Sequence, residues 1–439
     1  MRYGRINQGP DNTGISSRTA LNMEIRRDTY LEKLIVRRNN GLIKVVTGLR
    51  GSGKSYLLRT LFKNHLLDEG VPRDHIIEMA FDLPENQEYL DPKVFYPWVL
   101  SRIKDGGQYC ILLDEIQLLQ EFVSVLNGLA DRKNCDVYVT CSRAEILPYD
   151  TATEFGGRGD EVHMHPLSFA EFMTVYQGHY YDGFKEYMIF GGIPAVVLAK
   201  TPEQKMALLD SLFAETYIRD IKIRNKLRNV DEMGTLLDIL SSSVGSLTNP
   251  NKLCNTFRSV NRSKITATTI TKYIGYLEDS FLIEEARRYD IRGKSYIGTP
   301  QKYYFTDLGL RNARIGYRQT EFPHSMENII YNELRSRGFK VDVGNLSITE
   351  QDKNQKPVKK QLEVDFICRK ASRKYYIQSA YLLETPEKTQ QEIRPFLRIN
   401  DSFKKIVITS DTPAPFYTED GILMMSVYDF LRDSRSLDF

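Results

Sequence analysis

Gly48-Leu49-Arg50-Gly51-Ser52-Gly53-Lys54-Ser55 is a complete G-x-x-x-x-G-K-[ST] phosphate-binding pattern. It follows the apolar run Ile43-Lys44-Val45-Val46-Thr47 and precedes Tyr56-Leu57-Leu58-Arg59-Thr60-Leu61-Phe62, the strand–loop–helix setting this pattern needs. Glycine lets successive backbone N–H groups turn inward onto phosphate oxygens, and the helix that follows aims its positive end at them. The spacing assigns nucleotide contact to Gly48, Gly51, Ser52, Gly53, Lys54, Ser55 and Tyr56. Lys54 reaches the β- and γ-phosphates, and the Ser55 hydroxyl is a ligand for Mg²⁺.

Working outward, Tyr109-Cys110-Ile111-Leu112-Leu113-Asp114-Glu115 is an apolar strand ending in two carboxylates. Asp114 is expected in the Mg²⁺ shell, with Glu115 polarising the attacking water. Asp136 to Thr140 reads as the next strand, closed by Thr140-Cys141-Ser142; Thr140 or Ser142 fits a polar position sensing the γ-phosphate. Phe155-Gly156-Gly157-Arg158-Gly159 sets Arg158 in a glycine-rich turn, where a guanidinium can stabilise a transferring phosphoryl group. Whether Arg158 serves its own subunit or a neighbour is left open by the sequence.

Strands and helices alternate from Met23 to about Lys200, the pattern of a parallel α/β sheet. Asp91-Pro92 opens a helix to Lys104 as N-cap and first residue. Phe122, Val125, Leu126 and Leu129 mark one face of another. The expected organisation is an extension at 1–22, an ATPase domain at 23–200 and a helical connector at 201–229. A winged helix–turn–helix follows at 230–320, with an α/β domain at 321–439. In the winged helix, three helices (Asp231–Leu240, Asn251–Ser259, Thr266–Leu277) precede strand-like pieces around Ile291–Ser295 and Tyr303–Phe305. Thr349–Lys360 reads as a charged loop.

Composition narrows the classes. Of 439 residues, 41% are hydrophobic and 27% charged, which fits a globular chain rather than a disordered one. A net charge of +3 does not by itself point to nucleic acid. A basic surface has to be local, as in Tyr217–Arg228, or at Arg258, Arg262, Lys264, Lys272, Arg287, Arg288, Arg292 and Lys294 about the winged helix. Five scattered cysteines show no C-x-x-C pair, so buried thiols are expected rather than zinc. No apolar run is long enough for a membrane span. The expected compartment is the cytoplasm, and a homo-oligomer is compatible with the pattern.

The phosphate loop, Leu-Leu-Asp-Glu-Ile-Gln, Val-Thr-Cys-Ser and Gly-Gly-Arg-Gly are followed by His165-Pro166-Leu167-Ser168-Phe169-Ala170-Glu171-Phe172 and Phe190-Gly191-Gly192-Ile193-Pro194. In this order they resemble AAA+-type ATPases of bacteria and archaea with a carboxyl-terminal domain of unknown function. The resemblance implies ATP as nucleotide and Lys54, Ser55, Asp114, Glu115, Ser142 and Arg158 around it. Relatives often carry Gly where Cys141 stands. The end of the chain resembles the PD-(D/E)xK nuclease fold, with Glu333 and Asp365 at matching positions, and strand alternation puts Glu363 on the same face as Asp365. Its third strand, however, reads Gln378-Ser379-Ala380 in place of Glu-x-Lys. A neutral amide is a weak Mg²⁺ ligand and alanine supplies no charge, so the fold is expected without the cleavage. The reading is a Mg·ATP-hydrolysing protein that acts on DNA or a protein partner through its carboxyl-terminal half. The alternatives are a slow nucleotide-gated regulator and an ATP-dependent nuclease.

Overall fold

Strand β1 (Ile43–Thr47) lies inside a sheet with β2 (Ile76–Ala80), β3 (Tyr109–Asp114), β4 (Cys135–Cys141) and β5 (Gly159–His163). This is seen in a computed structural model that describes residues 25–143, 157–214, 221–222, 225–227, 229–261, 264–318, 321–351 and 355–438. Residues 1–22, Phe155, Gly156, Arg262 and most of Tyr217–Arg228, all assigned a place above, lie outside the described residues. The sheet order is β2-β3-β4-β1-β5 and every pairing is parallel. Strand β4 therefore separates the phosphate-loop strand from the acidic strand.

Period-two alternation builds a core on each face of this sheet. Val45, Leu113, Val137 and Val139 point to one side, onto α3 (Pro92–Arg102) and α4 (Phe122–Ala130). Val46, Leu112 and Tyr138 point to the other. There they meet α1 (Asp28–Ile35) and α2, which starts at Lys54–Tyr56, widens through Leu57–Phe62 and ends at Lys63–Asp68. Asp91 caps α3 by accepting from the Lys93 N–H at 2.8 Å. Strand β5 was not anticipated: Gly-Asp-Glu-Val-His holds one aliphatic residue, and pairing with β1 rather than local pattern makes it a strand.

Beyond the sheet come α5 (Phe169–Met173), α6 (Tyr180–Phe190) and three helices: α7 (Val230–Ser242), α8 (Pro250–Asn261) and α9 (Ala267–Asp279). The ribbon after them is β6 (Ile283–Asp290) and β7 (Ser295–Phe305), so Ile291–Lys294, expected as strand, is the turn. This ribbon is not a free wing. It forms one edge of an eight-stranded sheet of order β12-β13-β11-β10-β9-β8-β6-β7, in which β6 runs parallel to β8. The other members are β8 (Lys340–Gln351), β9 (Pro357–Lys370), β10 (Arg373–Ala380), β11 (Lys404–Thr409), β12 (Phe416–Tyr417) and β13 (Leu423–Ser426). The boundary drawn at 320/321 thus falls within a shared sheet. The charged stretch 349–360 is mostly the distal part of the β8–β9 hairpin, where ladder bonds hold a polar sequence extended. Helix α10 (Leu308–Arg314) follows β7; α11 (Phe322–Ser336) precedes β8, α12 (Pro386–Ile393) follows β10, and α13 (Val427–Arg432) ends the fold.

Candidate functional site

Glycine is obligatory at two points of the phosphate loop. Gly48 has φ +136°, and a Cβ there would stand 2.1 Å from the Met164 carbonyl oxygen, which any side chain would strike. Gly53 has φ +99° at the helix start. From that start Lys54 runs back under the loop, buried, its Nζ donating to the carbonyls of Gly48 at 2.9 Å and Leu49 at 3.1 Å. Burial lowers its pKa, with Glu115 and Asp114 opposing the shift. Ser52 is buried, and Tyr56 is the exposed member of the first turn.

Sequence reasoning missed the residue that fixes this loop from below. Buried Arg27 donates to the Ser52 carbonyl at 3.0 Å and the His165 carbonyl at 2.7 Å, and pairs with Glu171 at 3.0 Å. Glu171 also closes a capping box with Ser168 at the head of α5. The Pro-Leu-Ser-Phe-Ala-Glu-Phe segment is therefore part of the loop's support. Arg27 carried no signal of its own, since a lone arginine before a helix reads as surface.

The two acids at the end of β3 are held differently. Asp114 is buried and accepts hydrogen bonds from the Thr140 and Ser55 hydroxyls, which oppose the rise in its pKa caused by burial. Arg59, also unanticipated, stands 3.9 Å from Asp114. Glu115 adopts a left-handed φ of +54°, costly for a side chain with a Cβ. Its N–H donates to Thr140 Oγ1 at 2.9 Å, while its carboxylate accepts from Ser142 Oγ at 2.7 Å and from Gln117 Nε2. Thr140 thus serves the strand end, and Ser142 touches the second acid. The Ser55–Asp114 contact and the glycine cradle fit a phosphate-bound Mg²⁺.

Arg158 does not join this group. It precedes β5, whose start pairs with the start of β1, so it sits at the pole of the sheet opposite the loop. Five residues of strand put it about 15 Å away, and its guanidinium is bonded to Asp131 at the end of α4. It cannot serve the nucleotide of its own chain.

The carboxyl-terminal half corrects two assignments. Arg288 is buried and donates to Asn345 at 2.6 Å, so it is structural and not open to phosphates. Arg258, Lys264, Lys272, Arg287, Arg292 and Lys294 remain exposed. Glu333 is turned away from the other acids and pairs with Arg337 at 2.8 Å. Six residues earlier on α11, Glu327 takes its place. It meets Lys302 of β7 at 2.9 Å, and the same ammonium lies 2.8 Å from Glu363 and 3.7 Å from Asp365. Asp365 and Gln378 are neighbours on β9 and β10, with the Asp365 N–H 3.4 Å from Gln378 Oε1. Lys302 is only 4% exposed, and the carboxylates around it raise its pKa against the effect of burial.

A family model described as an AAA domain matches residues 40–173, and a domain of unknown function matches 181–321. An uncharacterized protein of Haemophilus influenzae is 35% identical over 93% of this chain and 98% of its own length. The chain belongs to the family of that protein. An uncharacterized protein of Methanocaldococcus jannaschii is 26% identical over 84% of this chain and 82% of its own. Among solved structures, a Walker-type ATPase of Pyrococcus abyssi is 13% identical with a TM-score of 0.47, covering 66% of this chain and 96% of that one. The Aeropyrum pernix ORC1 protein in complex with DNA is 12% identical with a TM-score of 0.30, covering 67% and 93%. The amino-terminal part of this family member is an AAA-type, nucleotide-binding P-loop domain. Among the described residues, no helix is long and apolar enough to cross a membrane.

Proposed function

We propose that the chain hydrolyses Mg·ATP and uses the turnover to change how its carboxyl-terminal half engages DNA. The observation that carries this reading is the convergence of Lys54, Ser55, Asp114, Glu115 and Ser142 at the carboxyl ends of β1, β3 and β4. Backbone N–H groups of Gly51–Ser55 and the Lys54 ammonium bind the phosphates. When bound at Ser55 and Asp114, Mg²⁺ neutralises phosphate charge. Glu115 accepts the proton of the attacking water, and the Ser142 and Gln117 donors set the direction of its carboxylate.

Support for coupling comes from Thr47, the residue before the loop, which reaches β5 and through it the carboxyl-terminal half. Its hydroxyl donates to Glu161 at 2.6 Å and meets His163 Nδ1 at 3.1 Å; His163 faces Glu284 of β6. Support for DNA is the exposed Lys272 on α9, whose start is capped by Thr266, with Arg258 and Lys264 nearby in sequence. Steady-state ATPase assays with and without single- and double-stranded DNA test both parts. Hydrolysis above the Lys54→Ala background, rising with DNA, is expected. Turnover no higher than that background removes the enzymatic reading. Turnover indifferent to DNA, without DNA binding, leaves an ATPase acting on another partner.

A further inference from the structure

Three ligand-type side chains meet where the first sheet touches the carboxyl-terminal half. His163 ends β5, His165 follows two residues on, and Glu284 belongs to β6. Their ligand atoms all lie within 4.8 Å of one another, the one such His, Cys, Asp or Glu group among the described residues. Neither the phosphate site nor the Lys302 cluster uses them.

Hydrogen bonding around His163 fixes which ring nitrogen is available. The Thr47 hydroxyl gives its proton to Glu161 at 2.6 Å, so its oxygen is left to accept from His163 Nδ1 at 3.1 Å. With the proton on Nδ1, Nε2 of the neutral ring carries a lone pair. That Nε2 is buried with no hydrogen-bond partner, and it faces Glu284 Oε1 at 4.0 Å. A lone pair directed at a carboxylate is two acceptors with no donor between them, and an electrophile is what that gap suits. Zinc bonds to imidazole nitrogen and carboxylate oxygen are each about 2.0–2.2 Å, so a tetrahedral ion sets its ligand atoms about 3.4 Å apart, and side-chain shifts of about 1 Å bring these groups to that spacing. The His165 ring lies edge-on to His163 with centroids 4.6 Å apart.

The surroundings are those of ligands already held in place. Outer partners normally orient metal-binding histidines and carboxylates through their second polar atom. Thr47 does this for His163. Arg335 Nε at 2.7 Å and the Tyr331 hydroxyl at 3.3 Å do it for Glu284, both on Oε2, which leaves Oε1 towards the histidines. The backbone of His165 is fixed at both ends, its carbonyl by Arg27 and its N–H by the Tyr30 hydroxyl at 3.2 Å. The Arg335 guanidinium opposes a further cation, and the carboxylates of Glu284 and Glu161 offset it.

We propose that His163, His165 and Glu284 form a binding site for one divalent transition-metal ion of the zinc class, joining β5 of the AAA domain to β6 of the carboxyl-terminal half. Two imidazoles and one carboxylate suit zinc, cobalt or nickel better than magnesium. The fourth position is left for water. An ion there would tie the base of the phosphate loop, through Thr47, to the strand ribbon that carries Glu284.

The test uses the full chain, stripped with chelator and titrated with Co²⁺. We expect one equivalent bound, with visible d–d absorption of nitrogen and oxygen ligation, displaced stoichiometrically by Zn²⁺. Affinity should fall at least tenfold in His163→Ala and in Glu284→Gln, and persist in Asp114→Asn, which removes the other divalent-ion position. Excess Zn²⁺ should raise the melting temperature of the wild type but not of Glu284→Gln. That comparison stands even where His163→Ala fails to fold. Substoichiometric binding by the wild type, or a Co²⁺ band that survives Glu284→Gln undiminished, overturns the proposal and assigns any binding to other histidines.

Discussion

Glu115 and Lys54 show how two neighbouring charges are given different tasks by their partners. Lys54 is buried under the loop with only backbone carbonyls as acceptors, so its charge is available to phosphate oxygens. Glu115 is held at a left-handed backbone angle with its carboxylate gripped by Ser142 and Gln117, an orientation that costs energy and is kept. Lys54→Ala is expected to lose ATP binding, measured with a fluorescent nucleotide. Glu115→Gln keeps the shape and the binding but cannot take a proton, so turnover should drop about 10²–10⁴-fold at unchanged nucleotide affinity. Wild-type turnover in Glu115→Gln would show that another group activates the water.

At the level of elements, the Phe190-Gly191-Gly192-Ile193-Pro194 segment gains a physical meaning it lacked as a string. Asp307, the N-cap of α10, accepts from the Gly192 N–H at 2.7 Å, and a Cβ on Gly191 would come within 2.2 Å of its carboxylate. The glycines let that acid reach the end of α6. Burial pushes the Asp307 carboxyl up to about 6, against several backbone N–H donors. Since the folded-state value lies above the ordinary carboxylate value, its contribution to stability is full below about pH 4 and is lost as pH rises through 6. The melting temperature of the wild type should therefore gain on that of Asp307→Asn as pH falls from 7 to 5; a gap independent of pH would contradict the raised value. Lys302 gives a second case. Lys302→Met leaves Glu327 and Asp365 buried without their cation, beside a half-buried Glu363, a change worth about 3–5 kcal/mol for the buried acids, visible as a lower urea midpoint; an unchanged midpoint would mean the acids are hydrated. These contacts also show where sequence reading stops. The phosphate loop, the acidic strand, β4 and helices α3, α4, α7, α8 and α9 were legible because local periodicity and capping mark them. Strand β5, the ribbon turn and the distal β8–β9 hairpin were not, because a partner strand rather than local composition makes them extended. Arg27, Glu327 and Lys302 were illegible for the same reason: their roles exist only where distant segments meet.

Across the whole molecule, the sheet shared by β6, β7 and β8–β13 makes the carboxyl-terminal half one packed body rather than a wing and a separate domain. The AAA domain meets it through β5 and the Pro166–Phe172 segment. This arrangement leaves the opposite pole of the first sheet, with Arg158 and Asp131, away from that junction. A guanidinium there is out of reach of its own phosphates and its side chain is 45% exposed. If it serves a neighbour, Arg158→Ala should bind ATP normally and turn over slowly, because only the transition-state charge loses its partner. Mixing Arg158→Ala with Lys54→Ala chains should then restore activity in hybrid assemblies, where an intact nucleotide site meets an intact arginine. Sedimentation with ATP present decides the other branch: a monomer with full turnover leaves Arg158 with no neighbour to serve, and its pairing with Asp131 would then be a surface contact alone.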